Sequence, residues 1–194
     1  MTAIVHSIRG FAYEHDEVPA FHAAFLVATI LSAAVFNLGF FAFLIIGHMT
    51  LDFVKYRDLH RMSVGMTLKA IALESIADIA LFLLALTFAV YINHTYMLSA
   101  VSGMMRSQLT VLRALGTLIP KVRIMENMLS IVLNMHTYMH VTHAGLGRRL
   151  NRIEKWSLRT IAVCAGLLIL AALIYHNHEW DLVQVLRKEL IPAL

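Results

Sequence analysis

Gly47-His48-Met49-Thr50-Leu51-Asp52 closes one long apolar segment of the chain, and Glu74-Ser75-Ile76-Ala77-Asp78 lies near the start of the next. Both stretches place two ionisable residues four apart. On helices that spacing stacks His48 over Asp52 on one face and Glu74 over Asp78 on another, one turn apart in each case. Four side chains able to ligate a metal therefore fall near the ends of two adjacent apolar helices. An unpaired charge there is costly, so what these four face decides both the fold and the chemistry.

Composition sets the surroundings. The 194 residues are 59% apolar and only 14% charged, far outside the range of a soluble domain, and the chain reads as an integral membrane protein. The net charge of +4 is carried by short basic clusters beside apolar runs. This is the pattern of loops at a membrane surface, and it excludes nucleic acid as a partner. The single cysteine, Cys164, lies within an apolar run, so neither a disulfide framework nor a cysteine-based metal motif is available. Residues 1–18 contain no apolar core of signal-peptide type, and the N-terminus is expected to be retained.

Taken in order, residues 21–47 carry no charge and are long enough to cross a hydrocarbon core of about 30 Å. With no proline to stop it, that helix is expected to run on past Asp52 and Lys55 towards His60. Residues 68–92 form a second span that contains the Glu74/Asp78 pair. The loop between the two carries Lys55, Arg57, Arg61 and Lys69, which the positive-inside rule places in the cytoplasm, leaving the N-terminus on the non-cytoplasmic side. In residues 97–119, Ser99, Ser102, Arg106, Thr110, Arg113 and Thr117 recur at steps of three and four, the mark of an amphipathic helix, which Pro120 is expected to end. Residues 122–146 are apolar enough to span but hold Glu126, Asn127, His136, His140 and His143, so they need a position facing protein. Arg148, Arg149, Arg152, Lys155 and Arg159 then precede a last apolar run, and residues from His176 on read as a short amphipathic helix.

The fold expected is all-α: a polytopic integral membrane helix bundle forming one domain, 1–194. It has four transmembrane helices, about 21–47, 68–92, 122–146 and 160–176, with 97–119 as an amphipathic surface helix. The alternative counts 97–119 as a fifth span and leaves the basic cluster outside.

His136, His140 and His143 follow an i, i+4, i+7 pattern and share one face. With His48, Asp52, Glu74 and Asp78 they make seven candidate metal ligands near the cytoplasmic leaflet. A carboxylate at the centre of a membrane helix costs about 2.5–3.5 kcal/mol on insertion scales, and two a turn apart also repel. A divalent cation offsets both penalties. The mixed imidazole and carboxylate set suits Fe, Zn or Mn, and Cu less well. Seven ligands exceed the four of a closed zinc site, leaving room for two ions or an open coordination position. Such a centre serves a metal-dependent oxidoreductase or hydroxylase acting on a lipophilic substrate, or a metal transporter. Without proline or glycine breaks in the first two spans, the sequence leans towards a static site.

Two other classes stand beside this. A haem b-binding membrane anchor for electron transfer would use His60 with His143, or His22 with His94. A cofactor-free structural subunit of a larger membrane complex fits the long helices, short loops and polar stripe. In either case the partners are the lipid bilayer and other membrane subunits or further copies of the chain.

Three short motifs resemble known families. His48-x-x-x-Asp52 resembles the His-x-x-x-Asp pair on transmembrane helices of cation-diffusion-facilitator zinc transporters, where Glu74/Asp78 would have to replace a second such pair. His136-x-x-x-His140-x-x-His143 is similar to one histidine box of membrane di-iron desaturases and hydroxylases, which have several. Leu59-His60-Arg61-Met62-Ser63 with His143-x-x-x-Gly147-x-Arg149 resembles the two signatures of the cytochrome b anchor subunit of succinate dehydrogenase, although there no helix precedes the first signature. Each resemblance covers only these few residues, and none assigns a family.

Overall fold

A computed structural model describes residues 19–92, 103–133, 150–175 and 182–191. Every regular element among them is helical: α1 (Pro19–Val35), α2 (Leu38–Val54), a π-helical turn (Lys55–Leu59), α3 (Val64–Glu74), α4 (Ile76–Ile92), α5 (Gly103–Leu133), α6 (Arg152–Tyr175) and α7 (Leu182–Leu190). Two of these stretches, Leu38–Arg57 and Arg152–Ile174, are long and apolar enough to cross a membrane. The number rises to three if α3 and α4, bent by 54° at Ser75, are counted as one broken span. The described residues are therefore all-helical, with two or three helices long and apolar enough to cross a membrane, consistent with the membrane protein that composition indicates.

The first apolar segment is not one helix. Asn37 breaks it: its side-chain oxygen accepts a hydrogen bond from Phe40 N at 3.1 Å and caps α2. Asparagine is among the best residues for that position, because its short acceptor satisfies one of the free N–H groups of a first turn. Its amide also donates to the backbone oxygen of Ile191, just past the end of α7. The second apolar segment breaks as well, at Ser75. The amphipathic stripe, by contrast, does not stop at Pro120, since residues 103–133 form a single helix with that proline inside. Pro120 has no N–H to give the carbonyl of Gly116, one turn back, and the helix continues past it without that bond.

Helix α4 is the central element, packed against α5 on one side and α6 on another. Gly116 of α5 sits so close to Phe88 of α4 that a Cβ there would lie 2.3 Å from the ring. Farther along, Asn127 reaches Asp78, so α5 runs antiparallel to α4. On the other side the Tyr91 hydroxyl donates to Leu167 O at 2.6 Å, and the groove the two helices share extends from that contact to lower residue numbers on both, to Leu84 and to Trp156, so α6 runs parallel to α4. His48 of α2 meets Asp78 near the start of α4, while Leu38 joins Ala89 and Val90 near its end. These directions bring the end of α2, the α3/α4 break, the end of α5 and the start of α6 to one end of the bundle.

Three apolar clusters hold it together. Leu38, Leu86, Val90, Ala171 and Val185 join α2, α4, α6 and α7; Ala33, Phe41, Ile45 and Ile124 join α1, α2 and α5; Tyr56, Ala70 and Ile71 seat the π turn on α3. Many large apolar side chains remain on the outside, including Phe43, Ile46, Val163, Ile169 and Leu173. Inside and outside are apolar alike, which is what a bilayer rather than water requires.

Candidate metal centre

The long helix α2 carries His48 and Asp52 into the interior, where they are 5% and 1% exposed. The π turn begins directly after this pair, at Lys55, and such widened turns are frequent beside functional sites. It ends in a tight reversal with Arg61 in the left-handed region at φ 51°, locked by Arg57 Nη1 donating to Met62 O at 2.9 Å. Ser63 then caps α3, which returns along α2 to Glu74. At Ser75 the direction changes by 54°, and α4 starts with Asp78 in its first turn. There the positive end of the helix dipole favours a carboxylate.

The sequence therefore brings three of its four acid and imidazole positions together. His48 Nδ1 lies 3.3 Å from Asp78 Oδ2, and His48 Nε2 lies 3.1 Å from Asp52 Oδ2. The second Asp78 oxygen accepts the Asn127 amide at 2.8 Å. The two imidazole contacts differ in kind. The Nδ1 contact has hydrogen-bond geometry, whereas His48 Nε2 and Asp52 Oδ2 are buried and close but not aligned for a hydrogen bond. In the tautomer whose Nδ1–H donates to Asp78, the lone pair of Nε2 lies where an N–H would and is likewise directed past the Asp52 oxygen. A protonated ring would pair with both carboxylates, and a neutral ring leaves Nε2 and Asp52 Oδ2 close together with no hydrogen between them.

Glu74 is placed differently. Its Oε1 accepts the Tyr56 hydroxyl at 2.6 Å, tying α3 to the π turn instead of joining the histidine. Among the described residues, no three His, Cys, Asp or Glu side chains are arranged to hold one ion. The imidazole explains why: its two nitrogens point to opposite sides of the ring, so Asp52 and Asp78 lie on either side of it. His136, His140, His143 and His94 lie outside the described residues, and His22 is on α1 with its side chain outside them too. His60 is half-buried at the end of the π turn, with its ring 5.8 Å from that of Tyr56.

Asn127 was a residue of the site that its pattern did not reveal, because one amide on an amphipathic helix looks like any other polar residue of its stripe. Two further groups belong to this region. The hydroxyls of Thr67 and Ser75 are fully buried and have no hydrogen-bond partner among the described residues. Buried hydroxyls in that state suit water or an ion.

No family model matches this chain, and neither a curated protein nor a solved structure matches it.

Proposed function

We propose that this is a four-crossing membrane protein that takes up a divalent transition-metal ion, Zn, Mn or Fe, between His48 Nε2 and Asp52 and moves it across the bilayer. The observation that carries the reading is the unaligned 3.1 Å approach of those two buried atoms. Two ligands each about 2.1 Å from a common ion lie about 3 Å apart at the right angle of an octahedral ion and about 3.4 Å apart at the tetrahedral angle zinc favours. Asp78 acts one shell out, in the carboxylate–histidine–metal arrangement that fixes the tautomer and raises the basicity of the ring. His48 and Asp52 supply two donors. The i, i+4, i+7 imidazoles at 136–143, which follow directly on α5, would complete the set. Glu74 stands aside, bonded to Tyr56.

Transport is preferred over a fixed catalytic centre because of Ser75. The sequence offered no break in this span, yet α3 and α4 meet at 54° between Glu74 and Asp78. Discontinuous helices at an ion site are the usual device by which transporters open a site to either side. The crossings would be α2, the α3/α4 pair, α5 and α6. Lys55, Arg57, Arg61 and Lys69 would then share one end of the bundle with Arg152, Lys155 and Arg159. By the positive-inside rule that end is cytoplasmic, and the start of α2 is on the opposite side.

Proteoliposomes enclosing a metal-sensitive dye test this. Externally added Zn²⁺ or Mn²⁺ should enter faster than in protein-free vesicles, and His48→Ala or Asp52→Ala should return entry to the protein-free rate. Entry that persists in both variants, or none in the wild type, overturns the proposal.

A further inference from the structure

Between α4 and α6 lies an open groove of about 500 Å³. Leu84, Phe88, Ile92, Val163 and Leu167 line it. The surface it offers is apolar, and of its polar side chains the Thr87 hydroxyl donates to Leu83 O at 2.8 Å and the Tyr91 hydroxyl to Leu167 O. Only one end differs. There the Arg159 guanidinium lies 5.2 Å from the centre of the Trp156 ring, with Arg152 and Lys155 exposed in the turn before.

Length and charge together specify what fits. From Trp156 to Leu167 a helix rises about 16 Å, close to the half-thickness of a hydrocarbon core of about 30 Å. The groove thus spans one leaflet. Its charged end lies beside the start of α4, the end that also carries the other basic loops. A guanidinium seated on an indole at interface depth suits a phosphate, which it can bind through two parallel N–H groups. We infer that the α4/α6 groove holds one acyl chain of an anionic phospholipid from the leaflet at the basic end, with the lipid phosphate on Arg159.

The chain contains two tryptophans, so Trp180→Phe leaves Trp156 as the only residue emitting when tryptophan is excited selectively. This variant, reconstituted in phosphatidylcholine vesicles, is titrated with brominated phosphatidylglycerol or brominated phosphatidylcholine. The expected result is quenching by the anionic lipid at a several-fold lower mole fraction. Arg159→Gln should bring the two curves together, and so should Val163→Phe, which fills the groove from its exposed wall and keeps the charge. Superposed curves in the Trp180→Phe parent overturn the inference. So does an anionic preference that survives Arg159→Gln, which removes the phosphate seat, or one that survives Val163→Phe, which would mark surface charge without a seated chain. Metal uptake enters none of these readouts.

Discussion

The His48 imidazole and the Asp78 carboxylate, thirty residues apart in sequence, meet at 3.3 Å in the interior of the bundle. The contact links α2 to the first turn of α4 just beyond the bend at Ser75, and Asn127 of α5 holds the same carboxylate from the other side. One acid therefore fixes three helices around one ring. In the proposed site Asp78 orients the ring rather than ligating, so Asp78→Asn is expected to leave the protein folded and able to bind metal, with affinity lower by about 10–100-fold. Competition with a chromophoric chelator measures this. Complete loss of binding would make Asp78 a direct ligand.

Tyr56→Phe separates Glu74 from the centre. Removing the hydroxyl leaves Glu74 without its 2.6 Å donor, which should cost about 1–3 kcal/mol of stability. Denaturation in detergent should show that loss, and metal content should stay at the wild-type value. A fall in metal content would place Glu74 in the coordination sphere.

Gly116 tests the α4/α5 contact. Any side chain at this position would begin 2.3 Å from the Phe88 ring, and overpacking of this kind costs about 1–3 kcal/mol. Gly116→Ala should lower the melting temperature, and adding Phe88→Leu should recover part of the loss. If Gly116→Ala has no effect, α5 does not pack here.

The crossing pattern is checked with single cysteines in a Cys164→Ser background. Ser63→Cys and Asn151→Cys, at the start of α3 and just before α6, should react with an impermeant thiol reagent from the same side of a sealed vesicle. Labelling from opposite sides would require an extra crossing and refute the bundle directions.

Much of this was legible in the chain. The i, i+4 pairs state which residues share a face, and in hydrocarbon a shared polar face must point inward, which is why His48, Asp52 and Asp78 meet. The continuation of α2 beyond Asp52 follows from the lack of any stop residue before His60. What escaped were the joints. Asn37 lies in an uncharged run and reads as one tolerated polar residue, although its capping chemistry argues for a helix start. Ser75 carries no breaking signal, since a bend at a serine depends on how α3 and α4 pack. Pro120 signals a stop, but it is buried within the bundle and tertiary packing carries the helix past it. Glu74 was drawn towards the centre by its spacing to Asp78. The bend between them turned it to Tyr56.

The most direct test is the divalent metal content, by elemental analysis, of protein purified without chelator, comparing wild type with His48→Ala and Asp52→Ala. The account predicts one transition-metal ion per wild-type chain and none in either variant. A wild-type protein without stoichiometric metal, or variants that keep it, would contradict the site.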